Sequence, residues 1–202
     1  MQTGAISDAM DQLGLPNGTF LGLIGVANSA GASTGTVRTA TVIDTDEPGI
    51  PGLAGVLDGL TDGDVLVVGW RASAQGSTFG DLAATRAGRA GCRALVSGGW
   101  VRDVPDLRAT GLTVWARGIT PRSGKGRLAV VEADQPALLG DVTACAGDLA
   151  VLDETGVCVV PAAHRRAVVD LATDLMRKDD TFRQVLARNG SFASGVDIAG
   201  TM

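Results

Sequence analysis

The 202-residue chain has no tyrosine, one histidine, and only two lysines among its seventeen basic residues. Each shortage removes a kind of chemistry. With His164 alone, a single chain cannot build a histidine-rich zinc site, and a Ser-His-Asp relay could run only through that residue. His164 follows Pro161 at an expected helix start, where a surface or capping role suits it better than catalysis. Schiff-base chemistry would need Lys125 or Lys178 to be desolvated. The first lies in a glycine-rich loop and the second beside two aspartates, so no imine trapping by borohydride is expected. Four phenylalanines, three tryptophans and a net charge of −5 offer neither stacking platforms nor a basic surface, which argues against nucleic-acid binding. Cys92, Cys145 and Cys158 lack CxxC or zinc spacing and read as small buried side chains. No apolar run approaches the ~18 residues needed to cross a bilayer. The first residues show no basic-then-apolar leader, so a cytosolic protein without membrane contact is expected.

What the chain has in excess is glycine, 29 residues, together with much valine and alanine. That composition suits short strands and tight turns. The length suits a single domain spanning 1–202 with a substantial core. A first helix is expected from Thr3 or Ser7 to Leu13, stopped by Gly14. The Gly-, Ser- and Ala-rich residues 22–35 read as an irregular connection, because neither GxGxxG nor a Walker pattern is present. Strands are expected at Thr36–Asp44, Val65–Val68, Ala94–Ser97, Leu112–Ala116, Leu128–Glu132 and Asp148–Leu152, with a hairpin turn at 153–156 into Val157–Val160. A short helix is expected near Leu53–Leu60. Residues 72–78 read as a small, polar loop ill suited to a core. Gly124-Lys125 resembles a fragment of a P-loop, but Gly126 stands where Ser or Thr is required, and that reading is rejected. Pro161 opens a C-terminal helix carrying Val168, Leu171, Leu175, Phe182 and Leu186, with a kink or exposed turn at Asp179-Asp180 and an end at Asn189-Gly190. The sum is an α/β fold with a mixed central sheet.

The stretch Gly80–Asp106, GDLAATRAGRAGCRALVSGGWVRDVPD, carries the chemistry. It reads as a helix to about Ala90 followed by a strand. A helix of ~11 residues is about 16 Å long, and a strand of ~5 residues runs about 17 Å back. The lengths nearly cancel, so Asp81 and Arg102-Asp103 could lie side by side at one end of a sheet. The helix N-terminus at Gly80-Asp81-Leu82-Ala83 presents free N–H groups to an anion. Arg102 is a planar cation suited to a two-pronged grip on a carboxylate. Gly98-Gly99 would let a ligand approach the backbone closely. Asp103 and Asp81 are hard oxygen donors for Mg²⁺ or Mn²⁺, directly or through water. An α-keto acid could place its carboxylate on Arg102 and the helix, and its keto oxygen on the metal. Asp81 as a plain helix cap, and Arg-Asp as surface neighbours, remain the bland alternatives.

These motifs resemble the RraA-like family, which includes class II 4-hydroxy-4-methyl-2-oxoglutarate/4-carboxy-4-hydroxy-2-oxoadipate aldolases. Its enzyme members share an Asp, twenty intervening residues and an Arg-Asp pair, matched here by Asp81, residues 82–101 and Arg102-Asp103. Asp106 matches a further acidic position. The resemblance extends through ISDAMDQLG, GDLAATRAGRAG, SGGWVRD and GDLAVLDETGVCVVP. It implies a swivelling β/β/α fold in homotrimers or homohexamers, with sites at subunit interfaces. It also implies Mg²⁺- or Mn²⁺-dependent cleavage of 4-hydroxy-2-oxo acids to pyruvate, often with oxaloacetate decarboxylation, both through the pyruvate enolate. By position, Asp103 would hold the metal and Arg102 the substrate. The Leu82 and Ala83 N–H groups would hold the carboxylate, and Asp81 would orient or deprotonate a metal-bound water. The family's C-terminal helix carries a Glu that reaches a neighbouring site; here Lys178-Asp179-Asp180 occupies that place, and Asp179 is the better match. The same resemblance offers a different class of function, a protein-binding regulator of a ribonuclease. Regulator-type members can lack the Asp of the pair, whereas Asp103 is present.

Overall fold

A computed structural model of the chain describes residues 1–27, 31–189 and 191–199. Helix α1 (Thr3–Gln12) is followed by β1 (Ile24–Ala27), β2 (Ser33–Asp44), α2 (Leu53–Asp58) and β3 (Asp64–Trp70). The short β4 (Ser77–Phe79) leads into α3 (Asp81–Arg89) and β5 (Ala94–Val101), then α4 (Val104–Ala109) and β6 (Thr113–Ile119). Next come β7 (Leu128–Val131), β8 (Ala137–Leu139), β9 (Val142–Ala144), β10 (Leu149–Leu152) and β11 (Val157–Val160). A 3-10 turn at Ala162–His164 hands over to the long α5 (Arg165–Asn189), and α6 (Phe192–Ala199) follows.

The main sheet runs β1-β6-β5-β3-β2-β10-β11, with β4 added to β5 and β7 to β2. Strands β2, β3, β5 and β6 are parallel, and the flanking pairs β1–β6, β2–β10, β2–β7 and β10–β11 are antiparallel. The protein is thus a mixed α/β fold of the β/β/α kind. Parallel strands covered on both faces read as unbroken apolar runs, and DVLVVGW in β3 is such a run. Alternate residues serve opposite faces. Leu66, Val68 and Leu95 pack with Leu57, Ala84, Ala87 and Leu107 from the helices. Val65, Val67, Ala94 and Val96 pack with Phe20 and the β8–β9 residues Ala137, Leu139 and Val142. A third cluster joins Ile6, Ala9 and Met10 of α1 to Val151, Val160, Val168 and Ala172. Among the described residues no helix is long and apolar enough to cross a membrane.

Helix α1 is anchored from a distance. Its Thr3 N–H and hydroxyl donate to the Asp153 carboxylate at 2.8 and 2.7 Å, so the expected 153–156 turn caps a helix at the other end of the chain. Burial raises the Asp153 carboxyl, but the bonds from Thr3, Thr155 and Gly156 outweigh it and hold the group below its ordinary value. A carboxyl depressed by folding stabilises the fold above its unfolded pKa, and that contribution is lost as pH falls through the folded value. Asp153→Ala is expected to cost about 1 kcal/mol near neutrality, the usual worth of a lost cap. The gap between the two unfolding curves should close on acidification, and urea titrations across that range will check it.

Several expected elements differ. Within 22–35, β1 pairs antiparallel with β6 and β2 starts at Ser33; residues 28–30 lie outside the described residues. Backbone pairing needs no large side chains, so a Gly/Ala/Ser run can hide strand ends. Ser77 and Thr78 at the end of the supposed polar loop belong, with Phe79, to a buried strand too short to show a period. The Asp179-Asp180 pair does not interrupt α5, because both aspartates point outward and pair with Arg183. The helix stop at Gly190 lies outside the described residues. Cys92 and Cys158 are buried, but Cys145 is exposed.

Candidate functional site

Strand β4 positions the site. It adds in parallel to the end of β5, with Ser77 opposite Trp100 and Phe79 opposite Val101. The Arg102 N–H then donates to the Phe79 carbonyl at 3.1 Å. This stitch holds the residues leaving β5 against those entering α3. Gly80 stands at the junction with φ −141°, an extended conformation open to any residue. The demand for glycine is spatial: a Cβ here would overlap Oδ2 of Asp103 and lie 3.2 Å from Cγ and Nε of Arg102. Asp103 leaves the strand with φ 58° and ψ 44°, a left-handed conformation that Asp tolerates better than most residues. Its carbonyl accepts the Asp106 and Leu107 N–H groups at 3.0 and 2.9 Å, starting α4 and turning the chain away from the site.

Arg102 and Asp103 lie together, and Asp81 shares a pocket with Arg102. Arg102 Nε meets Asp103 Oδ2 at 3.1 Å, with each side chain 34% exposed. The remaining guanidinium N–H groups have no partner among the described residues, which leaves a free edge for a carboxylate. The first bond of α3 runs from the Ala84 N–H to the Gly80 carbonyl. The Leu82 and Ala83 N–H groups precede it and have no acceptor within the helix, and the helix dipole adds positive potential there. Leu82, Ala83, Asp81 and Arg102 all line a pocket of about 160 Å³. Asp81 also borders a wider groove with Asp106.

Residues that sequence reasoning did not place in the site share this pocket, among them Thr78, Ser123 and Lys125. The loop bearing the last two is laced to β4, since the Ser77 N–H donates to the Arg122 carbonyl at 2.9 Å and the Gly124 N–H to the Ser77 carbonyl at 3.0 Å. The glycines allow that approach: a Cβ on Gly124 would stand 2.7 Å from the Ser77 oxygen. Nothing in the local sequence signals this pairing, although Gly124-Lys125 had drawn notice as a failed P-loop. The freedom expected at Gly98-Gly99 serves the protein instead of a ligand, because a Cβ on Gly99 would overlap the Trp70 indole.

Asp179 is not brought to this cluster within one chain. It lies on α5, which packs on α1, α6 and the 3-10 turn, and it pairs with Arg183 at 3.9 Å. Burial pushes the Cys92 and Cys158 thiols up, which makes them poor nucleophiles. Among the described residues no three His, Cys, Asp or Glu side chains converge on one point. The donors present are the carboxylate of Asp81, which lines the pocket, and that of Asp103, packed so closely on Gly80 that a Cβ there would overlap Oδ2. Such a set fits Mg²⁺ or Mn²⁺, which keep several waters and need one or two carboxylates. It does not fit a four-ligand zinc centre.

Fold and site together define a mixed-sheet α/β protein with a small pocket lined by Asp81, Arg102 and the start of α3. The chain belongs to the RraA-like family: the Aldolase/RraA family model matches residues 3–159. It is 27% identical over 187 residues to a Halalkalibacterium halodurans protein provisionally named 4-hydroxy-4-methyl-2-oxoglutarate aldolase, covering 93% of this chain and 85% of that one. It is 27% identical over 184 residues to Protein DlpA of Legionella pneumophila, covering 90% of this chain. This chain spans only 30% of DlpA's length. Its fold is similar to Streptomyces coelicolor RraAS2, described as an unusual member of the RNase ES inhibitor RraA protein family. The TM-score there is 0.83 at 29% identity, covering 91% of this chain and 93% of that one.

Proposed function

We propose that this chain is a class II lyase that releases pyruvate from 4-hydroxy-2-oxo acids, such as 4-hydroxy-4-methyl-2-oxoglutarate, and decarboxylates oxaloacetate at the same site. The observation that carries this reading is the close fit of Arg102-Asp103 against Gly80 at the start of α3. The Leu82 and Ala83 N–H groups and the free edge of Arg102 hold the 2-oxo acid's carboxylate. A bound Mg²⁺ or Mn²⁺, held by Asp103 and through water by Asp81, would supply positive charge where the keto oxygen gains negative charge. Asp81 removes the proton of the 4-hydroxyl through water. The C3–C4 electron pair moves toward the keto group, the C4 fragment leaves as a carbonyl compound, and C3 takes a proton to give pyruvate. In oxaloacetate the same bond breaks with loss of CO₂. A neighbouring copy in a homotrimer or homohexamer completes the site, bringing Asp179 as the proton donor; Leu82, 80% exposed at the pocket rim, is apolar surface that such a neighbour would cover.

A lactate-dehydrogenase-coupled pyruvate assay, with and without EDTA, tests the reading. Chelation should stop pyruvate release and Mg²⁺ or Mn²⁺ should restore it; release that survives EDTA unchanged would sink the proposal. Arg102→Lys is expected to raise KM about tenfold or more, because one ammonium cannot reproduce a two-pronged contact. The likeness to RraAS2 supports a second reading, a protein-binding regulator of ribonuclease activity without catalysis. Saturable binding to a purified ribonuclease scaffold, with no pyruvate formed from any 4-hydroxy-2-oxo acid, would favour it.

A further inference from the structure

We propose that Asp44, the last residue of β2, is a positioning residue for the site. Its carboxylate holds the chain that enters β4, and through β4 it sets the start of α3 against Arg102. Its effect on turnover rests on the lyase reading, whereas its hold on the pocket walls rests on hydrogen bonds alone.

Asp44 is exposed, yet both carboxylate oxygens are engaged. Oδ2 accepts the Ser73 N–H at 2.8 Å and the Ser73 hydroxyl at 2.7 Å. Oδ1 accepts the Ala74 N–H at 2.8 Å. These bonds, the Ser73 hydroxyl first among them, hold the Asp44 carboxyl below its ordinary value. A carboxylate that gathers successive backbone N–H groups fixes a loop more tightly than an exposed ion pair does. The other side-chain anchor of this loop, Arg71 on Glu132, is such a pair, with side chains 54% and 42% exposed. Asp44 is therefore the stronger hold on residues 71–74.

Only Gln75 and Gly76 separate Ala74 from Ser77, the first residue of β4. A shift at the clasp thus reaches Thr78 in the pocket wall and the Phe79 carbonyl that receives the Arg102 N–H. The opposite wall hangs from the same point. The Thr45 N–H, next to Asp44 in the chain, donates to the Arg127 carbonyl at 3.0 Å. That bond ties β2 to the loop carrying Ser123 and Lys125, which is itself laced to Ser77. Strand β2 is a firm reference for both, since it pairs with β3 from Thr36 to Val42 and with β7 from Thr41 to Asp44. Asp44 itself does not line the pocket, so it acts through β4 and not on the substrate.

Amide hydrogen exchange and pyruvate-release kinetics on the intact protein test this together. In Asp44→Ala the Ser77, Arg102 and Gly124 amides should exchange about tenfold faster, while the Val67 and Val96 amides of the core keep their native rates. The kcat for pyruvate release should fall by at least about tenfold, as small misplacements at a reacting centre do. KM should rise as well, because the Leu82 and Ala83 N–H groups lose their setting against Arg102. A mere loss of folded molecules would lower kcat and leave KM unchanged. Asn keeps the shape and one acceptor oxygen, so Asp44→Asn should restore part of both losses. If Asp44→Ala does not fold, Asp44→Asn carries the same readouts with the same signs. Equal quickening of core and pocket amides, native exchange at Ser77, or native kcat and KM would each overturn the proposal. Local quickening in a protein that releases no pyruvate would sink the lyase and leave Asp44 as the anchor of the pocket walls.

Discussion

Asp103→Asn should lower pyruvate release by at least about 10²-fold while leaving the fold intact. Asn keeps the size of the side chain and shares the tolerance of Asp for positive φ, so the turn at φ 58° survives. What disappears is the negative charge that would hold Mg²⁺ or Mn²⁺. The ion pair lost with Arg102 is about one-third exposed on each side and belongs to a class worth roughly 0–1 kcal/mol. Unfolding curves should therefore nearly coincide. Asp103→Ala is the blunter variant, because it adds the cost of a left-handed backbone at a residue that resists it. Calorimetric titration with Mg²⁺ should show weakened binding in Asp103→Asn. Full activity in that variant would remove Asp103 from the mechanism altogether.

The second large effect is expected at a residue with no functional group. Gly80→Ala should cut activity by about two orders of magnitude, the scale on which a displacement of ~1 Å at a reacting centre is felt. The backbone there accepts alanine, and replacing glycine even favours the folded state by about 0.4–1 kcal/mol through the unfolded chain. The new methyl cannot coexist with Oδ2 of Asp103 in its present place. The carboxylate, Arg102 or both must move. The expected signature is low turnover in a protein whose unfolding midpoint is near that of the native chain. A fully active Gly80→Ala would mean that the close packing of Asp103 on α3 has no part in catalysis.

Part of this site could be read from sequence, because Asp81 and Arg102-Asp103 flank one helix-strand unit. The equal lengths expected of that unit do not hold: α3 has nine residues and β5 eight, about 13 Å against about 26 Å. It is β4, paired with the end of β5, that brings the start of α3 beside Arg102. The parallel core was more legible: strands buried on both faces leave runs such as Leu66-Val67-Val68. What stayed hidden depends on distant partners. Ser77, Thr78 and Phe79 form a strand only because β5 and the 121–128 loop are there to receive them, and three residues carry no period. Lys125 enters the pocket through backbone bonds from Ser77 to Arg122 and Gly124, which no spacing in the loop announces. Trp70 fills the space above Gly98-Gly99, a use of glycine that composition cannot distinguish from room for a ligand. The helix α4 after Asp103 is similarly quiet, since Val104–Ala109 is too short for its pattern to stand out.

The scarcity of lysine has a practical corollary at the bench. Apart from the N-terminal amine, Lys125 and Lys178 are the only amines in the chain, and Lys125 lies in the pocket. Amine-reactive coupling to a sensor surface would therefore tether many molecules through the proposed binding pocket and silence them. The same reactivity is useful in solution, where protection of Lys125 from acylation by a candidate ligand would report occupancy of the pocket by peptide mass. For immobilisation, the exposed thiol of Cys145 is the better handle, because Cys92 and Cys158 are buried and would stay silent.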